Sequence, residues 1–588
     1  MRSDSGRTRF LTFGLLAIWT ALLGYLGYVQ LGCWKHYETE ARLQHWTKLE
    51  LLAPRGQVFD RLGRPLALNR SCASIRILPQ YIGSGGAKTD GERPVRNPLK
   101  VAELADILTG FGLGDRPATL RDLSTRDKLF WFRRDVDYGT AESLRRVLIA
   151  RQLSNCTYVD DDVERLYPYG EACAPVVGFV GDERGLAGIE TEYDSILRGR
   201  GGWIMLQRDA VGRSYPYPSY PVDRPVAGAD IHLTLDLDVQ EICYDALLEQ
   251  VKATGALKGS AVVLDAKTGA ILGLCDYPSF DPNSYGDYPK ERYKSTALSD
   301  QFEPGSSFKI VICAAALESP NADRLTNQTY DVSAGLIQIG KRQIHDVHRN
   351  GVLDFAGLFI KSSNPGCALL SMQVEPALYY QIARGLGFGS TVGLGLPNEG
   401  SGSIDRPDKL NTLRFANVAF GQGVTVTLTQ LAAAYLCIAN NGAYLRPYLI
   451  ASVRQNGRWL RRYQPATVRQ ALKPETAQRM KDILERVVTE GTGTAAQLDG
   501  MPTCGKTGTA QKTEPGGGYS RTRSRMTFIG FFPKVEPEYV IAVLIDEPQT
   551  VRFAGSTSCP AFKAIGEQLR LLDRMRQRIP SGELAYTR

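Results

Sequence analysis

Histidine is scarce in this sequence: His36, His45, His232, His345 and His348 are the five in 588 residues. No Gly-x-Ser-x-Gly elbow frames a nucleophile, so a Ser-His-Asp hydrolase lacks its characteristic turn and has few candidate bases. The Gly-rich stretches lack Walker A spacing, which argues against a P-loop nucleotide enzyme. The 11 cysteines show no paired zinc-type spacing. His345 and His348 sit three apart without an evident third ligand, so neither a metal nor a cofactor is expected. No dense Lys/Arg run accompanies the net charge of +8, and nucleic acid is not an expected partner. No internal repeat is visible.

What is present reads as folded protein. Apolar residues make up 43% and charged residues 22%, the balance of globular domains. The chain is too long for one core, so two or more domains are expected. Cys243, Cys275, Cys313, Cys367 and Cys437 lie in apolar runs and read as buried thiols. Cys156 and Cys173 are close enough in sequence to pair in an oxidising compartment, but a disulfide between them is not expected.

The N-terminus separates charge from apolarity. Arg2, Arg7 and Arg9 precede an uncharged stretch from Phe10 to Leu31, long enough to supply the roughly 20 residues needed to cross the hydrocarbon core as a helix. Arginines before the span place it as an uncleaved single-pass anchor with residues 1–9 cytoplasmic and the rest outside. A cleaved signal would need a shorter apolar core and a small-x-small site. A lipoprotein signal at Cys33 would need an aliphatic residue where Gln30 stands.

Beyond the anchor, Tyr37 to Leu51 suits a helical stalk or a juxtamembrane linker. Pro54 to Ala67 reads as strand, turn, strand, with Gly63 at the turn. Gly83 to Asn97 is a loop, and Lys100 to about Arg151 is helix-like. The Pro/Gly-rich stretch Pro221 to Gly228 marks a boundary. After it, Ile231–Asp236 alternates as a strand, Val239–Thr254 has helical period, and Ser260–Cys275 reads as a strand pair around Lys267-Thr268-Gly269. Further strands are expected at Cys504–Lys512, Arg525–Phe532 and Tyr539–Ile545, then a helix from Ala561 to Arg578. Strands at both ends with helices between predict an α+β or α/β serine-acyltransferase domain, its sheet assembled from distant segments.

The chemistry begins at Glu303-Pro304-Gly305-Ser306-Ser307-Phe308-Lys309, followed by the apolar segment Ile310–Leu317. Pro304 and Gly305 break the preceding structure, so a helix begins near Ser306, where its dipole favours negative charge. Ser306 and Lys309 then share a face one turn apart. A lysine whose pKa is depressed by burial can take the serine proton. Alone, this pair is a capping serine and a surface lysine. Two further groups, downstream and in this order, change that reading: Ser362-Ser363-Asn364 and Lys506-Thr507-Gly508. Their order and spacing suit three elements converging on one cleft. Ser-x-x-Lys, Ser-Asp-Asn and Lys-Thr-Gly together sign penicillin-binding proteins and β-lactamases; here Ser363 replaces the aspartate.

On these motifs the chain resembles a class B penicillin-binding protein. The Arg55-Gly56, Asp60-Arg61-x-Gly63, Arg165–Pro168, Gly185–Glu190, Gly421-Gln422-Gly423 and Asn440-Asn441-Gly442 segments carry the resemblance further. It implies residues 10–31 as transmembrane helix, 32–225 as an elongated non-catalytic pedestal of the dimerisation type, 226–580 as the transpeptidase domain with a central antiparallel sheet flanked by helices, and 581–588 as a tail. It also implies roles. Ser306 attacks the penultimate D-alanine carbonyl, Lys309 is the base, Ser362 relays a proton and Asn364 holds the donor peptide. Lys506 shapes the field, and Ser363, Thr507, Gly508 and Thr509 bind substrate. The backbone N–H groups of Ser306 and Thr509 would form the oxyanion hole. Peptidoglycan stem peptides ending in D-Ala-D-Ala, β-lactams, a SEDS-type membrane glycosyltransferase and other division or elongation proteins are the implied partners, at the bacterial cell (inner) membrane. A division or sporulation setting is favoured over elongation.

Other activities share these motifs. A β-lactamase or β-lactam sensor would need a deacylating group, and no Glu-x-x-Leu-Asn match is present. A D,D-carboxypeptidase carries all three motifs. A catalytically idle cell-wall scaffold is the reading from another class.

Overall fold

The computed structural model describes residues 5–38, 46–83, 96–181, 184–208, 214–216, 222–514, 518–551 and 553–578. The expected loop is therefore outside the described residues over 84–95, and the expected tails over 1–4 and 581–588. The chain divides into two compact units, residues 1–55 with 198–228, and 56–197 with 229–588.

In the first unit, a helix runs from Ser5 to Gly27. The stretch Arg9–Gly32 is long and apolar enough to cross a membrane. Trp46–Leu51 pairs antiparallel with Gly202–Arg208, which also pairs with Ser214–Pro216 and Val222–Asp223. The helical stalk expected over Tyr37–Leu51 is thus a strand from Trp46 on. Its partner follows only after the whole intervening lobe and leaves no local trace in the sequence. Residues 39–45 lie outside the described residues.

The second unit begins with β1 (Val58–Phe59) and β2 (Pro65–Ile77). Gly63 takes a φ of 86° at the turn between them, a conformation glycine adopts without strain. Helices α1 (Pro98–Gly110) and α2 (Arg116–Thr125) follow, then β3 (Phe130–Val136), α3 (Tyr138–Ala150) and β4 (Thr157–Leu166). Strand β3 interrupts the stretch expected to be helical. It pairs with β2, as does β4, so a distant partner overrides local propensity. A separate core of Ile75, Leu104, Leu108, Leu144, Leu148 and their neighbours holds this lobe together.

The catalytic part opens with β5 (Asp230–Leu233) and α4 (Leu237–Thr254). Asp236 caps α4 and Gly255, left-handed at φ 61°, ends it. Strand β1 pairs parallel with β5, and residues 56–197 group with 229–588 in one unit. An ion cluster reinforces the link. Buried Asp60 accepts from Arg64 Nε at 2.7 Å; Arg64 Nη1 donates to Asp238 at 2.6 Å. Arg576 reaches buried Asp236 at 2.7 and 2.8 Å.

The central sheet comprises β6 (Lys258–Asp265) and β7 (Ile271–Tyr277), with three strands from the far end of the chain. Between them in sequence lie α5 (Lys309–Glu318), the hairpin β8 (Leu336–Ile339) and β9 (Arg342–His345), then α6 (Phe355–Ile360), α7 (Asn364–Ser371) and the wholly buried α8 (Leu428–Ala439). The remaining strands are β10 (Cys504–Thr513), β11 (Tyr519–Phe532) and β12 (Tyr539–Asp546), and α9 (Ser558–Arg578) closes the chain. The order is β7-β6-β12-β11-β10, antiparallel throughout. Helices α4 and α9 cover one face through Cys243, Leu247, Phe562 and Ile565. Helices α5 and α8 belong to the core on the other.

The described cysteines are free thiols. Cys156 and Cys173 are buried in different hydrophobic cores and form no bond in this structure.

Candidate active site

Ser306 sits in a single 3₁₀ turn, Gly305–Phe308, ahead of α5. The α-helix expected to begin near Ser306 begins at Lys309. In the tighter turn residues i and i+3 eclipse, so Ser306 and Lys309 still share a face. The turn is held from three sides. Tyr435 Oη of α8 donates to Ser307 O at 2.9 Å. Gly305 N donates to Gly421 O at 3.1 Å. Gly423 N and Tyr519 Oη donate to Glu303 Oε1 at 2.9 and 3.3 Å. Gly305 has a φ of +55°, and a Cβ there would lie 2.5 Å from Thr509 O. The turn that carries Ser306 therefore rests directly on β10.

Lys309 is fully buried. Its Nζ donates to Ser362 O at 2.6 Å, Asn364 Oδ1 at 2.9 Å and Ser362 Oγ at 3.2 Å. Lys506, on β10, approaches from the opposite wall. Its Nζ donates to the same Ser362 Oγ at 3.0 Å and to Thr507 Oγ1 at 3.3 Å. Burial lowers the pKa of both amines. Lys506 is pushed to about 7, first by burial and then by repulsion from Lys309; Lys309 is lowered by burial, with Asp346 pulling back upward. Two buried ammonium groups around one hydroxyl are unfavourable, so near neutral pH the pair resists a second charge. Ser362 itself has a φ of 58°, an uncommon value for a non-glycine residue.

The hairpin end after β9 fixes the Ser362–Asn364 segment. Asp346 Oδ1 accepts from Asn364 N at 2.6 Å, and Oδ2 from Ser363 Oγ at 2.7 Å. Asn364 Nδ2 donates to His345 O at 3.2 Å. Ser363, expected among the substrate-binding residues, is fully buried, and its Oγ accepts from Gly366 N at 3.0 Å as the N-cap of α7. Capping and the bond to Asp346 occupy its hydroxyl. Gly508, also expected to bind substrate, acts through its lack of a side chain. A Cβ there would meet Thr527 Oγ1 at 2.2 Å and Pro304 O at 2.8 Å.

A cleft of about 760 Å³ opens over these groups. Ser306, Ser362, Asn364, Thr507 and Thr509 line it, with His345, Phe420 and Phe553 among its walls. Thr507 Oγ1 also pairs with Thr492 Oγ1 at 2.6 Å. Asp346, Glu303, Tyr519 and Thr492 have no motif to announce them. The only signal for Asp346 was its place between His345 and His348.

Such an arrangement suits acyl transfer. It has a hydroxyl on an eclipsed turn, a buried amine with lowered proton affinity, and a second hydroxyl shared by two amines as a proton path.

Comparison with known proteins agrees with the geometry. Residues 259–567 match the penicillin binding protein transpeptidase domain, and residues 50–233 the penicillin-binding protein dimerisation domain. The probable peptidoglycan D,D-transpeptidase PenA of Neisseria meningitidis is 30% identical over 580 residues, 97% of this chain and 93% of that one. Stage V sporulation protein D of Bacillus subtilis is 30% identical over 543 residues, 91% of this chain and 81% of that one. Among solved structures, penicillin binding protein 3 of Mycobacterium tuberculosis, complexed with aztreonam, has a TM-score of 0.67 at 27% identity, covering 90% of this chain and 97% of that one.

Proposed function

The chain belongs to the penicillin-binding protein transpeptidase family, and from that premise we propose that it cross-links peptidoglycan stem peptides through an acyl-enzyme on Ser306. The observation that carries the proposal is the convergence of Lys309 and Lys506 on Ser362 Oγ beside Ser306. Neutral Lys309 takes the Ser306 proton as Oγ adds to the carbonyl of the penultimate D-alanine. The peptide C–N bond breaks, and the departing D-alanine takes a proton by way of Ser362. Lys506 keeps a second positive charge off the site and, with Thr507 and Thr509, attracts the substrate's terminal carboxylate. Asn364 hydrogen-bonds the donor peptide. An amine from a neighbouring stem then attacks the ester, restoring the Ser306 hydroxyl. A β-lactam opens on Ser306 in the same way and stays attached.

The anchor is residues 10–31, with the arginines before it on the cytoplasmic side. Residues 32–225 serve as pedestal and 226–580 as the catalytic domain, outside the cell membrane. A transpeptidase needs new glycan strands, so a SEDS-type membrane glycosyltransferase is the proposed partner, at division or sporulation. Its co-purification should be lost when anchor and pedestal are exchanged for those of an unrelated protein.

The direct test is fluorescent penicillin labelling of the full chain with peptide mapping. The label should reside on Ser306 and vanish in Ser306→Ala. Label elsewhere, or fast release of opened drug, would contradict the proposal. Incubation with pentapeptide substrate should yield cross-linked dimers; loss of D-alanine without dimers would assign a carboxypeptidase instead.

A further inference from the structure

Two buried thiols outside the active site lie close together. Cys243 on α4 and Cys275 on β7 have their Sγ atoms 3.1 Å apart, and both side chains are fully buried. The surroundings hold them there. One turn before Cys243, Gln240 clamps the helix to the strand. Its Nε2 donates to Leu274 O at 2.7 Å and to Ala172 O at 2.6 Å, and its Oε1 accepts from Leu274 N at 2.7 Å. The amide thus pairs with the backbone next to Cys275 as a neighbouring strand would. Gly273 on β7 faces the same helix: a Cβ built there would lie in van der Waals contact with Val239 Cγ1 at 3.4 Å and Cys243 Cβ at 3.6 Å. Helix and strand are closely packed at this point.

We propose that Cys243 and Cys275 form a structural disulfide in the mature protein, closing the loop between α4 and β7. The sulfurs, 3.1 Å apart, would close to about 2.05 Å in the bond, between a helix and a strand that Gln240 clamps together. The step balances as a thiol–disulfide exchange. One thiolate attacks a donor disulfide, the second displaces the donor's remaining sulfur, and the donor leaves as two thiols that carry the two protons given up by Cys243 and Cys275. The donor is a low-molecular-weight disulfide or a disulfide-carrying oxidoreductase outside the membrane. The inference therefore rests on the extracytoplasmic placement of this domain. Burial pushes the Cys275 thiol up and hides both sulfurs, so the bond forms before α4 docks. Once packed, it is shielded from reductant.

The test uses the full chain in detergent. Three samples are compared: protein as isolated, protein unfolded and refolded with oxidised glutathione, and protein unfolded in dithiothreitol. Each is acid-quenched, alkylated with N-ethylmaleimide, digested and analysed by mass spectrometry. The expected result is a peptide linked through Cys243 and Cys275 in the first two samples and not in the third. The link should be lost in Cys243→Ser and in Cys275→Ser. Oxidised protein should also melt several degrees above the reduced form. Two fully alkylated cysteines in the glutathione-refolded sample, while that sample regains penicillin labelling, would overturn the pairing. A link in the refolded sample but none in the isolated protein would overturn the placement outside the membrane and leave the pairing standing. Penicillin labelling of Ser306 is scored separately, so failure of the enzymatic reading is read independently of the disulfide.

Discussion

Lys309 and Lys506 converge on one oxygen, Ser362 Oγ, which they approach at 3.2 and 3.0 Å from opposite walls of the cleft. They come from α5 and β10, elements from early and late in the catalytic part of the chain. Placing two buried amines around one hydroxyl ties the reaction to their shared proton.

Acylation should accordingly depend on pH. Both lysines have lowered proton affinity, Lys506 to about 7. Falling pH protonates Lys506 around that value and depletes the neutral Lys309 that serves as base. The second-order rate of labelling by fluorescent penicillin should fall steadily from pH 8 to pH 5.5. A flat profile over that range would contradict a lysine base.

The same shift bears on stability. In the unfolded chain Lys506 titrates near 10.5, and in the fold near 7. Between these values the unfolded state binds more protons, so stability rises with pH across that window and is lowest below about pH 7. Replacing Lys506 with Met removes this contribution. The melting temperature of Lys506→Met, followed from pH 6.5 to 9.5, should rise less than that of the unaltered protein, and penicillin labelling should be lost.

Asp346 holds both Ser363 Oγ and Asn364 N. Asp346→Ala should loosen the Ser362–Asn364 segment and slow acylation, on the order of 100-fold if the groups move by about an ångström. Ser363→Ala removes a helix cap and should cost about 1 kcal/mol, measured by denaturant titration. Labelling kinetics that are unchanged in Asp346→Ala would remove this residue from the machinery.

Gly508 lies where a methyl group would meet Thr527 Oγ1 at 2.2 Å and Pro304 O at 2.8 Å. Gly508→Ala should push β10 from the turn that carries Ser306. The outcome to look for is a circular dichroism spectrum like that of the unaltered protein with acylation reduced by on the order of 100-fold.

Asp60 is buried against Arg64, whose other donors reach Asp236 and Asp238. Asp60→Ala removes one of the three carboxylates around Arg64 and the acceptor of the Leu62, Arg64 and Leu237 N–H groups, and should destabilise the fold by about 1–3 kcal/mol. Differential scanning calorimetry of the detergent-solubilised chain reads this directly.

The residues proposed to perform chemistry were the most readable from sequence. Ser306, Lys309, Ser362, Asn364 and Lys506 each sit in a short motif, and function demands particular side chains there. Strands β10, β11 and β12 and helix α9 were legible because each keeps its alternation or period over a long stretch. Strand β3 and the strand Trp46–Leu51 were not. Their conformation comes from partners at Ala73–Ile77 and Gly202–Gln207, which no local window contains. Ser363 read as a substrate contact because of its motif position; its actual partners, Asp346 and Gly366 N, depend on how the β8–β9 hairpin folds back. The Gly305–Thr509 contact was equally hidden, since it joins segments that most of the catalytic domain separates in sequence.

The order β7-β6-β12-β11-β10 has a consequence for biosynthesis. Ser306 and Lys309 leave the ribosome long before Lys506, and the sheet that positions Lys506 needs β11 and β12 between β10 and the strands made first. A nascent chain stalled before residue 504 carries the nucleophile without the wall against which it works. Sensitivity to β-lactams therefore switches on only when synthesis of the catalytic domain is almost finished, and unfinished chains stay chemically silent.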